Sequence, residues 1–501
     1  MSWEDHLTNL KARMHWLLAL NFSGTEYYFS EDNVGDVYST TNDRYLKFRA
    51  GLQIYRYPTL AIDLASRTSS ITTASIGIAG KYAIHTIRDV TPLTNGEGTL
   101  SLWVEGADYD DRLDVMVGNV RTPAWGEEEI PFRFDLVDSR YEKDRVFPPN
   151  HVSAGDFANA SDRAIGQCYP ICYGHVYSVP IYEIDTTQNY YIISGHDVDS
   201  ANATLHVNGS LGTGDAGEAE PVSEQTGYTR VDGDGLGAGA PAESDLVVAD
   251  FDGMEDASGN LIENPAEITE HLVTNYSGLS SSEIGDFENA KAKMAAYKAS
   301  CIFNGTGAAS STVFETIQRR LCGQFPLIPR WYLGQYTGVY VDVVNAPISG
   351  KLRLNRNLIK RAGEVAESST DGLLNKIEIV YQYDAYLGKF RAYKVIDNSN
   401  NQRCKVSYNK YGLRQWQQRV VEFVDVQEEA TIDQIVNWVT HAYSEIAMQV
   451  QYTATRDVLR YKPGQFIQVT DSNMGWSDKT FLIESITPDI LETTIGLREH
   501  V

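Results

Sequence analysis

The stretch over residues 431–501 leaves the chain the fewest choices, because a helical spacing is followed there by four strand-length runs. Thr431 and Gln434 stand at the spacing of a capping box, in which each side chain satisfies a free backbone N–H at a helix start. Ile432, Ile435, Val436, Val439, Ala442, Tyr443, Ile446 and Ala447 then recur at the three- and four-residue spacing of one helix face. Strand-like runs follow at 449–455, 466–470, 481–486 and 491–497, with turn residues at Pro463-Gly464 and at 473–477. Helix followed by meander is a small α+β or barrel-like module, and it holds no catalytic motif.

The opening of the chain has a different rhythm. Residues 3–13 have a short-helix pattern, and HWLLALNF and TEYYFS form a two-strand unit joined by Ser23-Gly24. Alternation returns at 100–104, 113–117 and 132–137. In the last run Phe132, Phe134 and Leu136 face one way, and Arg133 and Asp135 the other. Gly/Asp/Pro turns recur roughly every 8–12 residues, as in a β-sandwich or barrel, so residues 1–140 read as all-β. Pro148-Pro149 then fixes an extended segment. Tyr169-Pro170-Ile171-Cys172-Tyr173-Gly174 reads as β-turn-β, with Gly174 able to take a positive φ. Residues 190–260 are polar and Gly-rich, and Leu205, Val207, Leu246 and Val248 mark a modest inserted β-domain. Asn264-Pro265 opens a mostly helical region in which Ile268, Leu272 and Val273 form the first apolar face. Further helices are expected over 286–300 and 311–321, and strands over 331–340, 346–354, 377–384 and 390–396.

Length and charge bound the function. A chain of 501 residues exceeds the usual single domain. Its 67 acidic against 42 basic residues give a net charge of −25, which repels nucleic acid and anionic membranes. Such a surface serves simple solubility, or it makes a wall that DNA passes without sticking. Both readings stand. Cys168, Cys172, Cys301, Cys322 and Cys404 are too sparse and odd in number for a disulfide framework. The CxxxC spacing of Cys168 and Cys172 lacks the second pair that zinc needs. Glu4 and Asp5 precede a short apolar run at 15–22 with no small-residue cleavage site, a pattern of neither a secretory signal nor a membrane span.

The catalytic motifs HExxH, Walker A, GxSxG and paired CxxC are all missing from the sequence. Asp232-Gly-Asp234-Gly and Asp250-Phe-Asp252-Gly have the carboxylates calcium takes, yet lack the full loop with its terminal glutamate, and read as surface turns. His196-Asp197-Val198-Asp199 is the densest His/carboxylate cluster, lacks a third ligand, and reads as a solvated turn. Glu127, Glu128 and Glu129 beside Trp125 imitate a glycosidase pair, but adjacent strand residues point to opposite faces. Arg319-Arg320 and Lys360-Arg361 are too short for a nucleic-acid footprint. Trp103, Trp125, Trp416 and Trp438 fit either a glycan-binding face or a core. No catalytic residue, cofactor or metal ligand is assigned.

The order of these segments resembles that of the hub proteins of tail tips and baseplates in tailed bacteriophages and gene transfer agents. YKPGQFIQVTD, MGWSDKTFLIESI and TTIGLRE are similar to the end of the hub domain. IGQCYPICYGHVYSVP looks like the segment that follows its strand-rich first block. ENPAEITEHLVTNYSGLSSSEI, SSTVFETIQRRLCGQF and LNKIEIVYQYD resemble its central domain. The likeness touches residues 16–499 and is thinnest over 185–260.

That resemblance implies an α+β, β-rich, multidomain protein. Residues 1–145 would be an N-terminal β-barrel-like ring domain, 146–260 a β-rich segment with a Gly/Asp-rich inserted domain, 261–424 a mixed α/β central domain, and 425–501 a second ring domain. It implies a structural virion protein made in the host cytoplasm: the homotrimeric hub that joins a sixfold tail tube to a threefold tip and lines the DNA exit channel. The implied partners are two further copies, the tail tube or distal tail protein ring, the C-terminus of the tape-measure protein, and tip or fibre proteins. Genome DNA would pass the lumen without specific binding. Two alternatives come from other classes. A tail-associated cell-wall hydrolase needs convergent carboxylates or a metal in a cleft, and a carbohydrate-binding tail module needs exposed Trp or Tyr on a β-face.

Overall fold

The computed structural model describes residues 13–501 apart from 72, 80–86, 88–91, 126–131, 139, 199–202, 209, 212–227, 233–244, 306–310, 333, 415–419 and 491. The helix expected over 3–13 therefore lies outside the described residues, save Arg13. The fold is α+β and β-rich, and the chain divides into two compact units. The first combines Met1–Lys143, Ile328–Thr370 and Ile446–Val501; the second combines Asp144–Leu327 and Asp371–Glu445.

The first unit is built on two large sheets. One has eight strands in the order Arg49–Ala50, Thr25–Ser30, Met14–Phe22, Glu97–Val104, Leu113–Trp125, Phe132–Val137, Ala74–Ile78 and Leu52–Arg56. Its first hairpin is the expected one: Phe22 lies opposite Thr25, and Ser23 and Gly24 both take positive φ, as a two-residue hairpin turn requires. Alternation sorts the first strand between two cores. Trp16, Leu18, Leu20 and Phe22 enter the main core, while Leu17 joins Trp103 and Tyr109 under the hairpin of Asp36–Ser39 and Arg44–Lys47.

The two edges of this sheet are one continuous run of chain. Arg49–Ala50 pairs parallel with Phe29 and Ser30, and Leu52–Arg56 pairs with Ala74–Ile78 at the far side. Gly51 links them, its N–H donating to the Ser30 carbonyl (3.0 Å) and its carbonyl accepting from Ala79 N–H (2.7 Å). The sheet is thereby closed almost into a barrel, which removes the exposed edges an open sheet would leave. Gly51 sits at φ +130°, and a Cβ there would meet the Ala79 carbonyl oxygen at 2.0 Å. Only glycine fits.

The second sheet has nine strands, assembled from three distant segments. Its main path runs Ile348–Arg353, Phe466–Asp471, Trp476–Thr487, Thr493–Glu499, Met448–Ala454 and Leu358–Arg361. Leu60–Asp63 adds to Trp476–Thr487, and Thr68–Ile71 adds to Leu60–Asp63. One continuous hydrophobic core spans both sheets, joining Trp16, Phe29 and Phe132 to Tyr452, Ile467, Phe481 and Ile495. The strand expected over 331–340 is two strands, Leu327–Tyr332 and Gln335–Tyr340, paired to each other. The turn between them includes Gly334 at φ +75°.

The second unit is made of smaller pieces. Four strands form one sheet (His175–Pro180, Val247–Asp252, Thr204–Val207, Ser210–Leu211), and Lys389–Ile396, Ile377–Asp384 and Val421–Glu422 form another. Gly174 takes φ +69°, as its place before the first of these strands suggested. The helix Pro265–Tyr276 starts as expected: Asn264 Oδ1 accepts from Ala266 N–H (2.9 Å), and Ile268, Leu272 and Val273 are fully buried.

Two helix expectations need correction, and one cause explains both. The helix expected over 286–300 is only Glu288–Lys293. Beyond it, Lys298 N–H donates to Thr431 Oγ1 (3.0 Å) and Ser300 N–H to the Asp425 carbonyl (2.9 Å), so tertiary acceptors take donors a helix would need. Thr431 in turn cannot cap its own helix. Glu429–Tyr443 begins after Glu428, no side chain caps it, and Thr431 lies buried inside its first turn. The helix also ends before Ile446 and Ala447. The segment expected helical at 311–321 begins as Val313–Thr316, capped by Thr312, and widens into a π-helical turn, Ile317–Cys322.

Candidate functional site

The nucleophile and metal candidates are spent on structure. All five cysteines are free and buried. Burial pushes the thiols up, Cys404 to about 11, so the reactive thiolate is suppressed. His196 is buried rather than on a solvated turn, which corrects the expectation from its acidic neighbours. Its Nε2 accepts from Cys172 N–H (3.0 Å), which leaves Nδ1 as the donor to the Asp197 carbonyl (3.0 Å). Burial lowers its pKa to about 4, so the ring is neutral near pH 7 with its lone pair occupied. Asp199 lies outside the described residues.

Asp250 and Asp252 are not turn residues either, since both lie in the strand Val247–Asp252. Asp250 Oδ1 accepts from Ser178 N–H (2.6 Å) and its Oδ2 lies 3.1 Å from His206 Nε2, while Asp252 pairs with His175 across the ladder. These bonds hold neighbouring strands in register. Asp232 ends the strand Thr229–Asp232 opposite Tyr190; Asp234, Glu127, Glu128, Glu129 and Trp416 lie outside the described residues. Among the described residues no three His, Cys, Asp or Glu side chains converge on a metal position. Trp103 and Trp438 are core residues, whereas Trp125 is 45% exposed at a strand end against Phe132. Arg319 pairs with Glu315 (2.6 Å) and Lys360 with Glu492 (3.5 Å). Among the described residues no helix is long and apolar enough to cross a membrane.

Arg320 behaves differently from its neighbour. The π-helical turn carries it to Asp425, a fully buried carboxylate, where Nε donates at 2.8 Å and Nη2 closes a bidentate pair. Gln324 completes the clamp from one helical turn on: its Nε2 donates to Asp425 Oδ2, and its Oε1 accepts from Asp425 N–H (2.8 Å). Asp425 has every oxygen engaged, so the cluster suits holding a shape rather than moving a proton. Sequence reasoning missed it, because Arg320 and Asp425 stand 105 positions apart.

In the first unit the candidate surface is the rim of the eight-stranded sheet. The strand Thr25–Ser30 is paired along its length on one side, but on the other only at Phe29 and Ser30. A cleft of about 490 Å³ opens where Arg44–Lys47 diverges from it, lined by Glu26, Tyr28, Arg44, Tyr45, Lys47 and Arg49. Tyr45 is 69% exposed and meets Tyr38 at a tilt (ring centroids 5.2 Å apart), and Asp108 and Asp110 bind the turn of this hairpin through Thr40 and Thr41 N–H. Rigid exposed tyrosines beside arginine are the residue types enriched at protein interfaces.

No protein-family model matches the chain, and no curated protein matches it in sequence. Three solved structures are similar over nearly their whole length. The tail protein from Neisseria meningitidis MC58 is 11% identical over 97% of this chain and 96% of its own, with a TM-score of 0.40. The 43 kDa tail protein of prophage MuSo2 from Shewanella oneidensis is 10% identical over 96% and 98%, with a TM-score of 0.38. The prophage tail protein gp18 from Listeria monocytogenes EGD-e is 8% identical over 96% and 94%, with a TM-score of 0.42.

Proposed function

We propose that this chain is a structural protein of a phage-type tail, and within it the homotrimeric hub of the tail tip or baseplate. The observation that carries the reading is the pair of large sheets, of eight and nine strands, folded into one unit around one core. Three copies of such a unit offer six sheet surfaces of similar kind. That number mates with a sixfold tube while the trimer itself closes with threefold symmetry. Ring-forming parts are accordingly assigned to residues 1–145 and 446–501, with Ile328–Thr370 supplying strands to the second sheet. The tail tube or distal ring, the tape-measure C-terminus and tip or fibre proteins are the proposed partners. The net charge of −25 suits a lumen that DNA traverses without adhering.

The test is solution mass by light scattering with negative-stain averages, with and without the cognate tail-tube protein. Trimer mass and a threefold ring with a central hole support the reading. A compact monomer that neither trimerises nor binds tube protein overturns it. The hydrolase alternative makes a separate claim, clearing of a peptidoglycan zymogram, which this reading expects not to occur.

A further inference from the structure

In the second unit, three local departures from regular backbone surround one cavity. The strand His175–Pro180 is bulged between Val176 and Val179, with Ser178 at φ +53°, and this turns Tyr177 outward to 44% exposure. Gln382 takes φ +59° inside the strand Ile377–Asp384, immediately before Tyr383. The π-helical turn Ile317–Cys322 carries Arg320. Non-glycine residues at positive φ cost strain and cluster at ligand sites, as do π-helical turns. The cavity they border holds about 410 Å³, within the ~300–1,000 Å³ usual for small-molecule sites.

Its lining is of two kinds. Tyr177 stands at the rim, and Tyr383 and Phe390, a cross-strand pair with rings 5.1 Å apart, offer a second aromatic surface. The polar groups are Ser300, Glu422, Gln427 and the Arg320–Asp425 pair, in which about a third of the Arg320 side chain (32%) stays exposed. The pair holds the wall of the cavity in shape, and the exposed edge of Arg320 is left as a donor facing it.

The charge pattern selects the ligand. Asp425 already neutralises Arg320 and Glu422 adds a negative charge, so phosphates and carboxylates are disfavoured. An aliphatic ligand would bury the polar groups without partners. A pyranose ring meets both demands, since its C–H face packs on aromatic rings and its equatorial hydroxyls pair with the exposed edge of the Arg320 guanidinium, the Glu422 carboxylate and the Gln427 amide. We propose that the cavity between Tyr177, Tyr383, Phe390 and Arg320 is a binding site for a neutral saccharide. The proposal stands on the second unit alone and is independent of whether the chain trimerises.

Saturation-transfer NMR on the full chain tests it, with the methyl glycosides of glucose, galactose, rhamnose and N-acetylglucosamine as millimolar probes. Transfer to at least one probe is expected. Tyr177→Ala and Phe390→Ala are each expected to weaken that probe by about tenfold or more, while Tyr45→Ala, in the first unit, leaves it unchanged. Tyr177 is exposed, so its variant keeps the fold and an unchanged melting curve verifies this. Absence of transfer from all four probes, or transfer that survives both cavity variants, overturns the proposal.

Discussion

Replacing Gly51 by alanine is expected to open the seam of the eight-stranded sheet. The added Cβ would lie 2.0 Å from the Ala79 carbonyl oxygen, a backbone atom that cannot swing aside, and φ +130° is itself closed to L-residues. An alanine here keeps a positive φ, with strain of ~1–3 kcal/mol, even as its backbone shifts off the Ala79 oxygen. Moving away breaks the bonds to Ser30 and Ala79, each worth ~0.5–1.5 kcal/mol net. The combined loss is about 4 kcal/mol. For domains of ~150–250 residues each kcal/mol moves Tm by roughly 2–4 °C, so the first unit should melt about 8–16 °C earlier. Gly24→Ala is the matched control: it also sits at positive φ (+87°) but has nothing within 4 Å of the added carbon. It should cost only ~1–2 kcal/mol. Scanning calorimetry reads both. If Gly51→Ala melts no earlier than Gly24→Ala, the closure argument fails.

Burial holds folded His196 near a pKa of about 4, below its ordinary 6.5, so the unfolded chain takes up the proton first as pH falls. Its stabilising contribution is complete above pH ~6.5 and lost between there and pH 4, by up to about 3 kcal/mol. His271, also lowered by burial, adds with the same sign. Urea midpoints measured across that window should fall with pH in the wild type and flatten in His196→Gln; an unchanged slope assigns the effect elsewhere. Asp425→Asn leaves Arg320 with a desolvated charge. It should cost about 2–3 kcal/mol, less than the ~3–5 of a fully buried pair because part of Arg320 reaches solvent. The joint change Arg320→Met with Asp425→Leu should cost less than Asp425→Asn alone in the same denaturation assay, and a greater cost would show that the pair itself stabilises. Tyr452→Phe removes the hydroxyl that donates to buried Asp471 (2.6 Å). A loss of ~1.5–3 kcal/mol is expected, and a variant as stable as wild type would mean the carboxylate finds another donor.

Local physics alone settled several parts of this protein. Phe132, Phe134 and Leu136 alternate with Arg133 and Asp135, and a strand with one buried face follows. Asn264-Pro265 caps a helix in any context, because the missing N–H and the side-chain acceptor both suit a first turn. Ser23-Gly24 closes a hairpin for similar reasons. Where the sequence misled, a remote partner had outcompeted a local one. Thr431 looked like a cap and instead accepts from Lys298, and His196 looked solvated beside acids but lies under Cys172 N–H. The Arg320–Asp425 clamp and the closure at Gly51 likewise join groups far apart in the chain. Periodicity reports which face of an element is apolar, and capping reports where it starts; neither says which distant backbone donor or carboxylate will arrive there. That choice is made only when the chain is compact, because each buried polar group must then find a partner among whatever the packing brings near.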